Sequence, residues 1–328
     1  MNKLLYIVGP TASGKTALAL SLSQTISSTI ISADSVQVYK NLDIISGKDI
    51  PFPTQFILDK DFKNISSEFS IGYFLINSTP LYLLDIVEPS YSFSVSDYQK
   101  IALPVIEKTL QQKKMPVIAG GSGFYVRTLL DPIETISIPQ NRPLREELEK
   151  EDVEVLQKKL YSLDREKYAT MNESDENNKR RLIRSIEVAQ YRNNNPDVPK
   201  SKNSLESYDQ LIIGLSVERE ELKKIIDKRV EERIQKGAIE EAEILFKNYQ
   251  NLSTQVKTAN GYKQLFDYFS RKITKDEAML LWKRSEYYNA KKQMTWFSKR
   301  NDIMWFDATK KNIHREIKEC VIKWYNQK

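Results

Sequence analysis

Histidine and cysteine are almost missing from this chain: 328 residues contain one of each, His314 and Cys320. A lone cysteine forms no internal disulfide and no Cys-rich zinc site. A lone histidine excludes a His-pair metal centre and argues against a Ser-His-Asp triad. Cys320 falls in an amphipathic helical pattern, where packing is the default role. His314 lies near a helix start and reads as structural or solvent-facing. Long apolar runs are also missing. The longest are strand-sized, well short of the roughly 18 residues that span a bilayer. The first of them runs into a glycine-rich loop, so it reads as a strand and not as a signal peptide. Internal repeats and long low-complexity tracts are absent too. With 40% hydrophobic and 29% charged residues, the chain reads as a soluble, cytoplasmic, globular protein of one large or two modest domains. A net charge of +6 permits an anionic partner without requiring one.

What is there begins at the start. Leu4-Leu5-Tyr6-Ile7-Val8 leads into Gly9-Pro10-Thr11-Ala12-Ser13-Gly14-Lys15-Thr16, the spacing G-x-x-x-x-G-K-[ST] of a phosphate-binding loop. The glycines let the backbone curl with its N–H groups inward, and a helix beginning near Lys15 adds the positive end of its dipole. Lys15 supplies a point charge, and the Thr16 hydroxyl is placed to ligate Mg²⁺. By motif alone the loop binds a di- or triphosphate, ATP included.

Strand-like runs follow at Leu4–Val8, Ile30–Ser32, Leu81–Val87, Val117–Ala119, Leu211–Leu215 and Ile303–Phe306, with helical patterns between most of them. Strands alternating with helices behind a phosphate loop predict an α/β fold: a P-loop-type, doubly wound parallel sheet. Two segments interrupt it. Residues 49–80 read as a loop plus an extra hairpin of no evident role. From Pro139 to Asn203 the chain is helix-forming and charged, with no strand. The expected organisation is therefore a core from 1–138 and 204–328, with a helical insertion domain at 139–203.

Two further motifs stand at strand ends. Ser32-Ala33-Asp34-Ser35-Val36-Gln37 follows the second strand. Asp34 there either lines the ligand crevice as a proton acceptor or caps a turn, and the residues leave both open. Gly120-Gly121-Ser122-Gly123 follows Val117–Ala119. Taken alone it is a tight turn or a close backbone approach, with Arg127 about a turn further on. Asp97, in Ser94-Val-Ser-Asp97, fits a capping box at a helix start. Arg180, Arg181 and Arg184 are spaced to share a helix face, which on composition reads as a solvated surface beside Glu187, while Leu182, Ile183 and Ile186 pack.

In order and spacing, these motifs resemble the tRNA dimethylallyltransferase family. So do Phe93-Ser-Val-Ser-Asp97-Tyr98, Lys179-Arg-Arg-Leu-Ile-Arg184-Ser-Ile-Glu-Val188, Gly261-Tyr262-Lys263 and Ala290-Lys-Lys-Gln293-Met-Thr-Trp296-Phe297. The resemblance covers nearly the whole chain. Three features depart from the family pattern. Ser46-Gly-Lys48-Asp stands for the usual Gly-Thr-Ala-Lys. Leu81-Tyr-Leu-Leu84 replaces a histidine-containing run. Residues 49–80 are longer than typical. The eukaryotic zinc finger has no residues to build it here.

The resemblance implies an enzyme that moves a dimethylallyl group from dimethylallyl diphosphate to the exocyclic amine of the adenine 3′ of the anticodon in tRNA. It implies Mg²⁺ on Thr16 as cofactor. Asp34 would be the base, with Thr11 and Arg229 beside it. Gly9 to Thr16 and Arg127 would hold the diphosphate, although either arginine could instead make only structural salt bridges. Asp34, Ser35, Val36, Gln37, Ser122, Arg145, Arg180, Arg181, Arg184, Lys257 and Lys263 would meet tRNA, acting from a monomer. Rival readings are a nucleotide-kinase-like P-loop enzyme, a free-adenylate prenyltransferase and a non-catalytic RNA-binding protein.

Overall fold

A computed structural model describes residues 3–196 and 205–327. They divide into two compact units, Met1–Leu130 with Leu205–Lys328, and Asp131–Ser204. The larger unit is built on eight strands: β1 (Lys3–Val8), β2 (Ser28–Ser32), β3 (Phe56–Leu58), β4 (Gly72–Ile76), β5 (Thr79–Tyr82), β6 (Met115–Gly120), β7 (Asp209–Ser216) and β8 (Ile303–Asp307). Their order across the sheet is β3-β4-β5-β2-β6-β1-β7-β8. From β5 to β8 every pair is parallel.

A strand covered on both faces needs a continuous apolar run, because successive side chains alternate between faces. In β1, Leu4, Tyr6 and Val8 enter one core and Leu5 and Ile7 the other. Helix α1 (Lys15–Ser23) covers the second face through Leu18 and Leu22. On the first face, α2 (Val95–Gln111) contributes Tyr98, Ile101 and Val105, and α3 (Gly123–Leu130) contributes Val126 and Leu129. Helix α2 opens with Ser94 and Asp97 in a reciprocal capping box, so capping is the geometry Asp97 adopts.

Residues 49–80 carry the expected hairpin, and it widens the sheet. Strands β3 and β4 add antiparallel to β5 at one edge. The β4–β5 turn has Asn77 at φ 47 and Ser78 at φ 66, the positive pair that a tight two-residue hairpin turn demands. The strand expected over Leu81–Val87 ends sooner, at Tyr82. Leu83 and Asp85 take positive φ, and the chain leaves the ladder so that Asp85 N–H and Ile86 N–H donate to the Gln37 and Val38 carbonyls.

The smaller unit holds five helices among its described residues: α4 (Arg142–Leu148), α5 (Val153–Leu163), α6 (Arg165–Ala169), α7 (Glu173–Glu176) and α8 (Lys179–Asn194). Leu148, Leu156, Leu160, Leu182, Ile183 and Ile186 form its core. It begins at Asp131, ahead of the 139 read from the sequence. Backbone contacts explain the earlier start: Arg184 on α8 donates to the Thr135 and Ile138 carbonyls. The return path at 197–204, with Pro199, lies outside the described residues.

In the larger unit the chain continues through α9 (Arg219–Gln235), α10 (Ala238–Phe246), α11 (Thr254–Lys257), α12 (Tyr262–Phe269), α13 (Lys275–Phe297) and α14 (Ile313–Tyr325). Ile317 and Val321 of α14 pack beneath the sheet beside α1, and Cys320 between them is half-buried. Among the described residues, no helix is long and apolar enough to cross a membrane.

Candidate active site

The carboxyl ends of β2, β6 and β1 lie side by side, and each is followed by one of the three motifs. In a doubly wound sheet that edge is where ligands sit. After β1 the loop turns on Gly9 at φ 145, Ala12 at φ 65 and Gly14 at φ 83. A Cβ on Gly9 would lie 2.5 Å from the Leu215 carbonyl oxygen, so both its conformation and its surroundings require glycine. Gly14 has open space around it, and only its left-handed backbone makes glycine the favoured residue. Ser13 is buried, and its hydroxyl donates to the Pro10 carbonyl at 2.9 Å. Thr16 stands exposed in the first turn of α1, which carries no acidic residue.

Lys15 lies across this loop and donates to the Pro10 carbonyl at 2.6 Å. Burial lowers its ammonium, the Asp34 carboxylate raises it, and Arg229 lowers it again, leaving it at about 8. Lys15 therefore lies within the fields of both Asp34 and Arg229.

Of the two uses that its sequence context allowed, Asp34 makes the cap and keeps an oxygen over. Its Oδ1 accepts from Val36 N–H at 2.9 Å and Gln37 N–H at 3.3 Å, which caps the turn after β2. Among the described residues its Oδ2 accepts no hydrogen bond, leaving one oxygen for a ligand. The Gly-Gly-Ser-Gly run is a close approach and more than a turn. A Cβ on Gly120 would overlap the Ala33 carbonyl and lie 2.7 Å from Ala33 Cα. Ser122 ties the two strand ends together, its N–H donating to the Ala33 carbonyl and its hydroxyl accepting from Ser35 N–H at 3.0 Å.

Gln293 was not singled out as a site residue in the sequence, although it lies within a matching motif. From α13 its Oε1 accepts from Thr11 N–H at 2.7 Å. A Cβ on Gly121 would overlap its amide, and one on Gly123 would meet the Trp296 ring at 2.5 Å. The same helix end therefore seats on the phosphate loop and on the glycine run. Phe297, beside it, is fully buried core.

The segment after Leu42 is fixed by charge. Glu241 accepts from the N–H groups of Asp43, Ile44 and Ile45 and from the Tyr262 hydroxyl at 2.7 Å. Gly261 permits this arrangement, since a Cβ there would collide with Ile45 and Trp282. Gly261-Tyr262 is thus interior packing, flanked by an exposed Lys263 and by Lys257, which donates to the Gln250 carbonyl and covers the Tyr249 ring. Buried Lys48 donates to the Tyr39 carbonyl at 2.7 Å and pairs with Asp43 and Asp85. Arg229 on α9 pairs with Asp49 at 3.1 Å. Arg127 is on α3 with its side chain exposed.

In the smaller unit, Arg145 and Arg184 converge on buried Glu187. Arg145 grips it with two bonds at 2.9 and 2.7 Å, and Asn141 N–H adds a third at 2.6 Å. Burial pushes the Glu187 carboxyl up, but the bonds from Arg145, Asn141 N–H and Arg184 outweigh it and hold the group below its ordinary value. Arg181 pairs with Asp175. Arg180 is exposed and makes no ion pair among the described residues. Of the three arginines expected on one face, Arg184 turns inward because Glu187 lies one turn ahead of it.

Glu187→Ala is expected to destabilise this unit by about 2–3 kcal/mol. That is less than the roughly 3–5 kcal/mol of a fully buried broken pair, because Arg145 and Arg184 are each 31% exposed and regain water. Glu187 has a lowered folded-state value, so its contribution is present above its unfolded value of about 4.5 and is lost as pH falls through the folded one. Hydrogen exchange of the α8 amides, wild type against variant, reads both effects.

A strand–loop–helix phosphate cradle at the carboxyl end of a doubly wound parallel sheet, with a carboxylate after the next strand but one, defines a P-loop-type site. Residues 75–301 match the family described as IPP transferase, and residues 2–56 match isopentenyl transferase. A tRNA dimethylallyltransferase of Halothermothrix orenii is 34% identical, over 97% of this chain and 92% of the relative. One from an Exiguobacterium species is 35% identical, over 96% and 93%. The tRNA isopentenylpyrophosphate transferase of Bacillus halodurans superposes with a TM-score of 0.66 at 30% identity, covering 98% of this chain and 96% of that one. The chain belongs to the tRNA dimethylallyltransferase family, a family of prenyltransferases.

Proposed function

We propose that this chain transfers the dimethylallyl group of dimethylallyl diphosphate to the exocyclic amine of the adenine 3′ of the anticodon in tRNA. The observation that carries the reading is that Lys15, after β1, lies in the field of Asp34, after β2, two strands away at the same carboxyl edge of the sheet, in a chain of this family. The phosphate loop, Gly9 to Thr16, takes the diphosphate. The amine nitrogen attacks the allylic carbon, the carbon–oxygen bond to the diphosphate breaks, and Asp34 Oδ2 receives the amine proton. Thr11 and Arg229 stand by the same loop, and Arg127 contributes from α3. An adenine amine is a weak nucleophile, so a fixed carboxylate is a large aid. Thr11 N–H donates to Gln293 and Ser13 N–H to the Pro10 carbonyl, so the loop N–H groups without such partners, together with Lys15, stabilise the charge that gathers on the leaving pyrophosphate.

Mg²⁺ fits the oxygen donors present. Among the described residues no three His, Cys, Asp or Glu side chains gather into a cation cage. Magnesium shared with a diphosphate keeps several waters and needs few protein ligands. The Thr16 hydroxyl is exposed and makes no hydrogen bond among the described residues, which suits one such ligand. When bound, the ion neutralises charge on the leaving group.

A base in an anticodon loop must leave its stack to reach such a site. Ser35, Val36, Gln37 and Ser122 read the edge of that base, a role supported by the bonds of Val36 and Gln37 to Asp34 and of Ser35 to Ser122. Exposed Arg180 and Lys263 are suited to phosphates. Arg145, Arg184, Arg181 and Lys257 meet RNA with only the capacity their internal partners leave. The enzyme acts as a cytoplasmic monomer.

Transfer to tRNA with none to AMP, and no ATP hydrolysis, separates this reading from the free-adenylate and kinase-like ones. A pH profile tests the cradle. Lys15 is charged below about 8 and loses charge above it. The kcat/KM for dimethylallyl diphosphate is therefore expected to fall above pH 8 in the wild type, since that ratio reports the free enzyme. Lys15→Arg keeps its charge and removes that limb.

A further inference from the structure

We propose that Asp49 is the resident counter-ion of Arg229 in the free enzyme, displaced when a diphosphate arrives and re-seated as pyrophosphate leaves. The inference rests on the diphosphate reading above. Three cations converge here. Arg229 and Arg233 close over the backbone at Gly47, where a Cβ would lie 2.5 Å from Arg229 Nη2 and overlap Arg233. Lys15 lies within the field of Arg229. Like charges this close disfavour one another's charged forms, and nearby carboxylates offset that.

The three acidic partners differ in how readily they can leave. Glu286 is buried, pairs with Arg233 at 3.4 Å and also accepts from the Trp282 indole at 3.2 Å. Asp34 Oδ1 holds two backbone N–H groups. Among the described residues Asp49 forms an ion pair only with Arg229, its charge also acting on Arg233, and its side chain is 62% exposed against 27% for Arg229. An exposed carboxylate regains water at once when released, so its ion pair is the weak one. A multiply charged diphosphate then wins Arg229 from it.

The connection to the reacting end is continuous. Gln37 Nε2 donates to the Gly47 carbonyl at 3.0 Å, and Gln37 N–H donates to Asp34. A residue that competes with the leaving group for Arg229 weakens product binding and so speeds its release. Asp49 is thus a positioning residue that acts through Arg229.

The test is calorimetric titration of inorganic pyrophosphate, with and without Mg²⁺, into wild type and Asp49→Asn. Asp49 has φ 49, which asparagine adopts readily, so the variant keeps the turn. Pyrophosphate is expected to bind Asp49→Asn about three- to fivefold more tightly, as suits an exposed ion pair, and the gain is expected to shrink as salt rises. The KM for dimethylallyl diphosphate should fall with it. In an Arg229→Gln background the Asp49→Asn step should change nothing. Equal or weaker pyrophosphate binding by Asp49→Asn, or the same gain without Arg229, overturns the proposal. A wild type that binds no pyrophosphate overturns the diphosphate reading itself.

Discussion

Asp34→Asn is expected to lower kcat for prenyl transfer by about 100-fold or more, the range that follows loss of a general base, with little loss of stability. Asparagine is the informative replacement. Its side-chain oxygen still accepts from the Val36 and Gln37 N–H groups, so the cap after β2 survives. What disappears is the second oxygen, the one with no hydrogen-bond partner among the described residues. Asp34→Ala removes both functions. It should therefore show the same kinetic loss plus about 1 kcal/mol of destabilisation from the missing cap. Single-turnover kinetics and thermal melts of the two variants separate the roles. Equal melting with a large kinetic loss in Asp34→Asn is the expected pattern. Near-normal turnover in Asp34→Asn would reduce the residue to a cap.

Gly120→Ala is expected to be nearly as damaging, by a different route. An added methyl overlaps the Ala33 carbonyl and reaches 2.7 Å from Ala33 Cα. Both neighbours are backbone, so no side-chain rotation relieves the overlap and β2 must shift against β6. Overpacking of this kind costs about 1–3 kcal/mol. The residue displaced is the one next to Asp34, and the Ser122 bonds to Ala33 and Ser35 move with it. A displacement of about 1 Å at a reacting group is worth roughly 100-fold in rate. Gly14→Ala is the contrast. Its surroundings are open and it lies on the diphosphate side, so its effect should fall on the KM for dimethylallyl diphosphate and on its backbone strain. Normal activity in Gly120→Ala would mean that the two strand ends need not meet so closely.

The parts of the site legible in the sequence were those made by short runs. The phosphate loop is contiguous, and its glycines have local causes. The β1 run reads as a doubly buried strand because alternating faces both meet apolar cores. Asp34 was legible as a residue with two possible roles, and the fold has it perform the capping role while leaving an oxygen free for the other. Contacts between distant segments were less visible. Gln293 reaches Thr11 across 282 residues, and the glycine run at 120–123, legible as a tight turn or a close backbone approach, did not say what would lie against it. Glu187 was named as an ion-pair partner, but periodicity could not say that it would be buried and would draw in both Arg145 and Arg184. The end of β5 was overestimated because Leu83 and Leu84 are apolar. Their burial is satisfied in a positive-φ turn as well as in a strand.

Prenyl transfer to tRNA is tested most directly by incubating the protein with labelled dimethylallyl diphosphate, Mg²⁺ and unmodified tRNA, then digesting the RNA to locate the label. The expected result is one labelled nucleoside, an adenosine modified on its exocyclic amine and mapping to the position 3′ of the anticodon, with release of pyrophosphate. Label on AMP and none on tRNA, or ATP hydrolysis with no prenyl transfer at all, would contradict it.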